Sequence, residues 1–321
     1  MAFVLDDKWV WDFWFCQDGE DLHLFYLQAP RSLVDEERRH RNATIGHART
    51  RDLATWEILP DPIGKGTPGE FDDLATWTGS VFRHGDLWYL FYTGVSTADD
   101  GYVQRINYAT SRDLVHFTRS GRPPFVTDPT WYEVLDGSTE IEESWRDPWV
   151  YEDADQPGLF HMLLTARVKD GPGHGRGVVA HATSTNLHDW SAGPPITEPG
   201  QVVGLEVPST HFIGGQWRLL FCTQERWISE LRKARTDVSF ETGTYYYSGP
   251  TALGPFTEDS SSLLLGEPYY AGRALHWQGQ WYLMAFIGLQ PDGTFLGGLS
   301  DPMPIEANDD GTLHVRVPAQ A

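Results

Sequence analysis

One unit returns five times along the 321 residues, at intervals of roughly 60–70, and no other feature limits the possible folds as strongly. Its centre is a hydrophobic run: DLHLFYLQ at 21–28, DLWYLFYTG at 86–94, GLFHMLLTAR at 158–167, QWRLLFCTQ at 216–224 and QWYLMAFIG at 280–288. A turn and another strand-like segment precede each run. In the first three units a third strand follows, with a shared punctuation: HARTRDLATWEIL at 47–59, YATSRDLVHFTRSG at 108–121 and HATSTNLHDWSAG at 181–193. Units four and five vary it as YYYSGPTALGPFTED and LGGLSDPMPIE. The 14 Trp, 13 Tyr and 16 Phe, with 32 Gly and 21 Pro, suit short strands and tight turns rather than long helices. Each unit therefore reads as four antiparallel strands, and five of them closed into a ring leave no long free sheet edge. The expectation is an all-β chain, a five-bladed β-propeller forming a single domain over residues 1–321. Cys16 and Cys222 fall on non-adjacent blades, so no disulfide is expected between them.

In a propeller the first strand of each blade lines the central channel, which narrows the search for function to five short segments. These are VWDFWF, WTGSVFRHG, WRDPWVYED, LEVPSTHFIGG and YYAGRALHWQG. They offer Asp12 on blade one, Thr78 and Ser80 on blade two, and Arg146 and Asp147 on blade three. Blade four adds Glu206, and blade five adds Tyr269, Tyr270 and Arg273. An unpaired buried carboxylate is costly, so three of them on inner strands call for a reason. Glycosidic bond cleavage supplies one. It uses a carboxylic acid that protonates the leaving oxygen and a carboxylate that attacks carbon or activates water, while a third can hold sugar hydroxyls and stabilise positive charge. Crowding also raises the pKa of such groups and keeps one of them protonated. Taken singly, each has a plainer reading: Asp12 as a turn cap, Asp147 as the ion-pair partner of Arg146, and Glu206 as a solvated side chain.

A net charge of -21 disfavours nucleic acid and anionic membranes as partners and leaves neutral, hydroxyl-rich ligands open. Trp9, Trp11, Trp14, Trp77, Trp145 and Trp149 cluster near the carboxylate segments. Such rings stack on sugar faces, although about half should serve packing between blades. The twelve histidines show no metal-ligand spacing, so neither a metal nor another cofactor is expected. The acidic stretch 133–143 reads as a solvated loop beside blade three. With no basic, apolar leader in MAFVLDDKWVWDFWF and no membrane-spanning run, the chain as given reads as cytoplasmic. The sequence leaves the oligomeric state open.

The same segments resemble clan J glycoside hydrolases, families 32 and 68, the β-fructofuranosidases and fructosyltransferases. Trp11-Asp12-Phe13-Trp14 looks like the nucleophile strand, closer to the WDSW form of levansucrases than to the NDPNG form of invertases. Trp77-Thr78-Gly79-Ser80 resembles the W-S/T-G-S segment of blade two. Arg146-Asp147-Pro148 is similar to the RDP motif, whose Asp binds fructosyl hydroxyls and stabilises the transition state. Leu205-Glu206-Val207-Pro208 stands where the family has its E-C-P acid/base segment, with Val207 in place of Cys. Tyr269-Tyr270-Ala271 looks like the blade-five YA segment. No C-terminal β-sandwich follows the fifth blade in the chain as given. The resemblance implies a retaining enzyme acting on β-D-fructofuranosides, by hydrolysis or transfer, with Asp12, Asp147 and Glu206 as catalytic residues. Trp11, Trp14, Trp77, Thr78, Ser80, Arg146, Tyr270 and Arg273 would then bind a small-molecule or oligosaccharide substrate. Two alternatives remain open: an inverting, family-43-like arabinofuranosidase or xylosidase, and a propeller that binds carbohydrate without cleaving it.

Overall fold

Each repeat unit becomes one antiparallel sheet of a five-bladed propeller in the computed structural model, which describes residues 3–135, 142–171, 173–235, 241–289 and 293–318. The inner strands are Lys8–Asp18, Ala75–His84, Trp145–Glu152, Glu206–Ile213 and Tyr269–Trp277. The hydrophobic runs form the second strands, Asp21–Pro30, Leu87–Val95, Phe160–Arg167, Gln216–Thr223 and Gln280–Leu289, buried along most of their length because blades cover both faces. Two-residue hairpins join these strands in four blades. At Gly214-Gly215 both residues have positive φ, 63° and 79°, the conformation whose twist matches the flanking strands. Blade five departs from four strands, because its third position is shared by Phe295–Leu299 and Met303–Ala307. The ring closes where Phe3 bridges Leu299.

The shared punctuation has a local cause. In blades one to three it turns the third strand into the fourth through a hydroxyl and an Asx side chain. Thr50 and Asp52, Ser111 and Asp113, and Ser184 and Asn186 each take the following backbone N–H groups. That geometry holds Leu53, Leu114 and Leu187 at φ 60°, 59° and 64°, with their side chains sunk in the core.

All five inner strands carry a register shift near the same level: at Asp12, at Thr78, across Asp147-Pro148, across Val207-Pro208 and across Ala271-Gly272. A bulge frees one residue from the ladder and re-aims its neighbours, which also explains how Pro is tolerated inside two inner strands. Asp147, Val207 and Ala271 sit at φ 61°, 55° and 50°, unusual for side-chain-bearing residues and most so for β-branched Val207. Threonine hydroxyls hold the bulges from the preceding blade. Thr93 accepts the Asp147 N–H at 3.0 Å, Thr165 the Val207 N–H at 3.2 Å, and Thr244 the Gly272 N–H at 3.0 Å.

The expected solvated loop at 133–143 is corrected at both described ends, and residues 136–141 of it lie outside the described residues. Glu133 is buried between Arg167, at 2.5 Å, and Arg176, at 2.7 Å, while buried Glu143 accepts from Thr127 and from the Leu135 N–H. Cys16 and Cys222 are buried free thiols. Among the described residues no helix is long and apolar enough to cross a membrane.

Candidate active site

The bulges bring Asp12, Asp147 and Glu206 to one cavity of about 570 Å³, lined also by Trp11, Trp77, Thr78, Arg146 and Tyr270. Thr78 donates to Asp12 at 2.7 Å, across the seam between blades one and two. Asp147, only 3% exposed, accepts from the Thr165 hydroxyl at 2.8 Å and from the Val207 N–H at 3.1 Å, which ties it to blade four. Glu206 receives two donors: the Arg146 guanidinium at 2.7 Å on one oxygen and the Tyr270 hydroxyl at 2.6 Å on the other. The plainer pairing of Arg146 with Asp147 is the longer contact, 3.7 Å. Thus five blades each contribute a side chain to one polar cluster.

Electrostatics follow from that crowding. Burial and the charge of Asp147 push Asp12 up to about 7, with the Thr78 hydrogen bond and Arg273 opposing. Burial also raises Glu206, against the pull of Arg146. Burial works against the Arg146 charge, but Glu206 and Asp147 outweigh it and hold the guanidinium protonated. The Tyr270 hydroxyl is pushed well above its ordinary range by burial and by Glu206, so it stays a donor. Burial and mutual repulsion thus push both the Asp12 and the Glu206 carboxyls toward their protonated forms, the direction that crowded carboxyl groups take.

Stability should register the same crowding. A carboxyl whose folded pKa is raised keeps its proton where the unfolded chain has released it. Stability is accordingly lost as pH rises from about 3.8 to about 7, and the penalty is complete above that. Asp12→Asn removes the charge, so it should stabilise the fold by about 2 kcal/mol at pH 8, after allowing for screening by the open cavity. The gain should vanish below about pH 4, as read by thermal melts across pH.

Trp14, Ser80 and Arg273, expected at the ligand, do not line this cavity. Trp14 is 1% exposed and stacks on Phe25, Ser80 accepts the Val150 N–H, and Arg273 borders a separate cavity of about 190 Å³ beside Trp149 and His211. Trp14 and Ser80 each follow a bulge, which breaks the alternation that would have put them on the same face as Asp12 and Thr78. Of the six clustered tryptophans, Trp11 and Trp77 face the cavity. Trp9 and Trp145 are core, the latter against Phe125 and Tyr132. Loops supply rim residues that the inner-strand search missed: Arg39, His40, Tyr102, Arg226 and Trp227. Arg39 lies over Trp11 and Phe295, and the Trp77 indole donates to the His40 carbonyl at 2.7 Å. Among the described residues no cluster of three or more His, Cys, Asp or Glu is arranged to hold a metal ion.

Comparison with known proteins adds a family. The model of the glycosyl hydrolases family 32 N-terminal domain matches residues 14–294. A sucrose-6-phosphate hydrolase of Zymomonas mobilis is 26% identical over 267 residues, which is 79% of this chain and 47% of that protein. The chain thus spans about half the length of the curated relatives it matches. Among solved structures, an inulosucrase from Halalkalicoccus jeotgali bound to kestose superposes with a TM-score of 0.77 at 20% identity, covering 97% of this chain and 87% of the other. A sucrose-6-phosphate hydrolase from Lactobacillus gasseri gives 0.71 at 19% identity, covering 98% and 63%. At such identities the superpositions speak to the fold alone.

Proposed function

This chain belongs to glycosyl hydrolase family 32, and from that membership we propose that it is a retaining glycoside hydrolase or transglycosylase acting on β-D-fructofuranosides, with the five blades as one catalytic unit. Asp12 attacks the anomeric carbon, Glu206 protonates the leaving oxygen and later activates the water or acceptor, and Asp147 stabilises the oxocarbenium-like charge. The observation that carries this reading is the convergence of three carboxylates with separate partners. Thr78 steers Asp12, Arg146 and Tyr270 hold Glu206, and a hydroxyl and a backbone N–H fix Asp147. The matched span opens two residues after Asp12, so the nucleophile role rests on this geometry rather than on the match. Trp11 and Trp77 offer aromatic surface to the sugar, and Arg146 serves Glu206.

Family membership favours a fructofuranoside over the arabinofuranoside alternative, and a carbohydrate-binding propeller has no need of a raised proton donor. The test is a screen of sucrose, its 6-phosphate, fructo-oligosaccharides, levan and aryl arabinofuranosides, read by released monosaccharide. Fructose release from at least one fructofuranoside, with none from arabinofuranosides, is expected. Binding without release would return the chain to the non-catalytic reading.

A further inference from the structure

We propose that Arg273 is a positioning residue that sets the spacing of Asp12 and Glu206 by clamping the backbone directly behind each of them. Its Nε donates to the Phe13 carbonyl at 3.0 Å and its Nη1 to the Val207 carbonyl at 3.2 Å. Phe13 follows Asp12 on blade one and Val207 follows Glu206 on blade four, while Arg273 itself belongs to blade five. One guanidinium thus joins three blades, two of which are not neighbours in the ring. Both carbonyls lie at the bulges, where the ladder restrains the chain least: the register shifts between Trp11 and Phe13 and between Glu206 and Ser209, and Val207 stands at φ 55°. A planar fork with fixed donor directions can impose a distance between two such points, which a flexible ammonium cannot. At 2% exposure the side chain has no route to the sugar and no contact with the main cavity.

The buried charge has a second effect. Arg273 faces Asp147, Asp12 and the Cys222 thiol, and burial pushes that thiol up to about 12, so it is neutral. Asp12 in turn faces Asp147, Glu206, Arg273, Arg39 and Tyr270, besides the Thr78 hydroxyl. Arg273 is therefore one of the few cations that hold Asp12 toward its ionised, nucleophilic form.

The inference rests on the roles proposed above for Asp12 and Glu206. Two variants separate clamp from charge. Arg273→Lys keeps the cation but cannot span both carbonyls, and Arg273→Met keeps the apolar length without either. Both folded variants should lose about 100-fold in kcat on the best fructofuranoside, with KM within about 3-fold of the parent, because a small misplacement of reacting groups costs turnover rather than affinity. Only Arg273→Met should also move the acid limb of kcat/KM to higher pH, since losing the cation raises Asp12 further. If Arg273→Met does not fold, Arg273→Lys carries the test alone. A folded Arg273→Lys enzyme with kcat within about 3-fold of the parent, or a loss confined to thermal stability, overturns the clamp. Should the parent cleave no fructofuranoside, the proposed function fails by itself. The clamp is then judged by crystal structures of parent and Arg273→Lys: a wider Asp12 to Glu206 separation in the variant supports it, and an unchanged separation overturns it.

Discussion

Asp12→Asn is expected to abolish turnover of every fructofuranoside, by about 10⁵-fold or more, while the propeller stays folded and becomes more stable at alkaline pH. The two effects have one origin. Asp12 is held among Asp147, Glu206 and low-dielectric walls, an arrangement that raises its free energy when ionised and leaves it reactive toward an electrophilic carbon. Thr78 aims the carboxylate, and an amide in its place can still accept the Thr78 hydroxyl, so the substitution changes chemistry more than shape. Steady-state assays and thermal melts on the same preparation check both halves. Retained turnover would remove Asp12 from the nucleophile role.

Glu206→Gln should behave differently, because protonation matters in proportion to how poor the leaving group is. With an alkoxide leaving group, as in sucrose, glycosylation should slow by about 10³-fold to 10⁴-fold. With an aryl fructofuranoside that departs as a stable phenolate, the first turnover should stay within about 10-fold of the parent, followed by slow release as deglycosylation lacks its base. The Gln oxygen can still accept from Arg146 while its amide NH2 donates to the Tyr270 oxygen, so binding should change little. Equal losses in the first turnover on both substrates would count against Glu206 as the acid.

The fold was legible because its determinants are local. A hydrophobic second strand, a tight hairpin and a Ser/Thr-x-Asp/Asn-Leu turn repeat with the chain, and each specifies its own geometry. The carboxylates were legible too, since charged residues on channel-lining strands stand out against apolar neighbours. Side-chain direction past the bulges was not. Counting by two from Asp12 gives Trp14, and from Thr78 gives Ser80, yet one extra residue in each strand resets the faces. Burial of Glu133 depends on Arg167 and Arg176, whose nearness in space no spacing announces. The rim residues Tyr102 and Arg226 come from loops between strands, placed by packing rather than by any repeat. A recurring threonine near the end of the second strand, in FYTG and LLTAR, was a visible signal for the latches on Asp147 and Val207.

Covalent trapping on Asp12 tests the central claim most directly. Glu206→Gln mixed with an activated aryl fructofuranoside, quenched early and digested, should yield the Asp12 peptide carrying one hexosyl residue, because the first step proceeds and the second stalls. The ester should disappear when an external nucleophile such as azide is supplied. Product of inverted configuration with an unmodified Asp12 peptide, or an adduct on another residue, would contradict the retaining mechanism and the role given to Asp12.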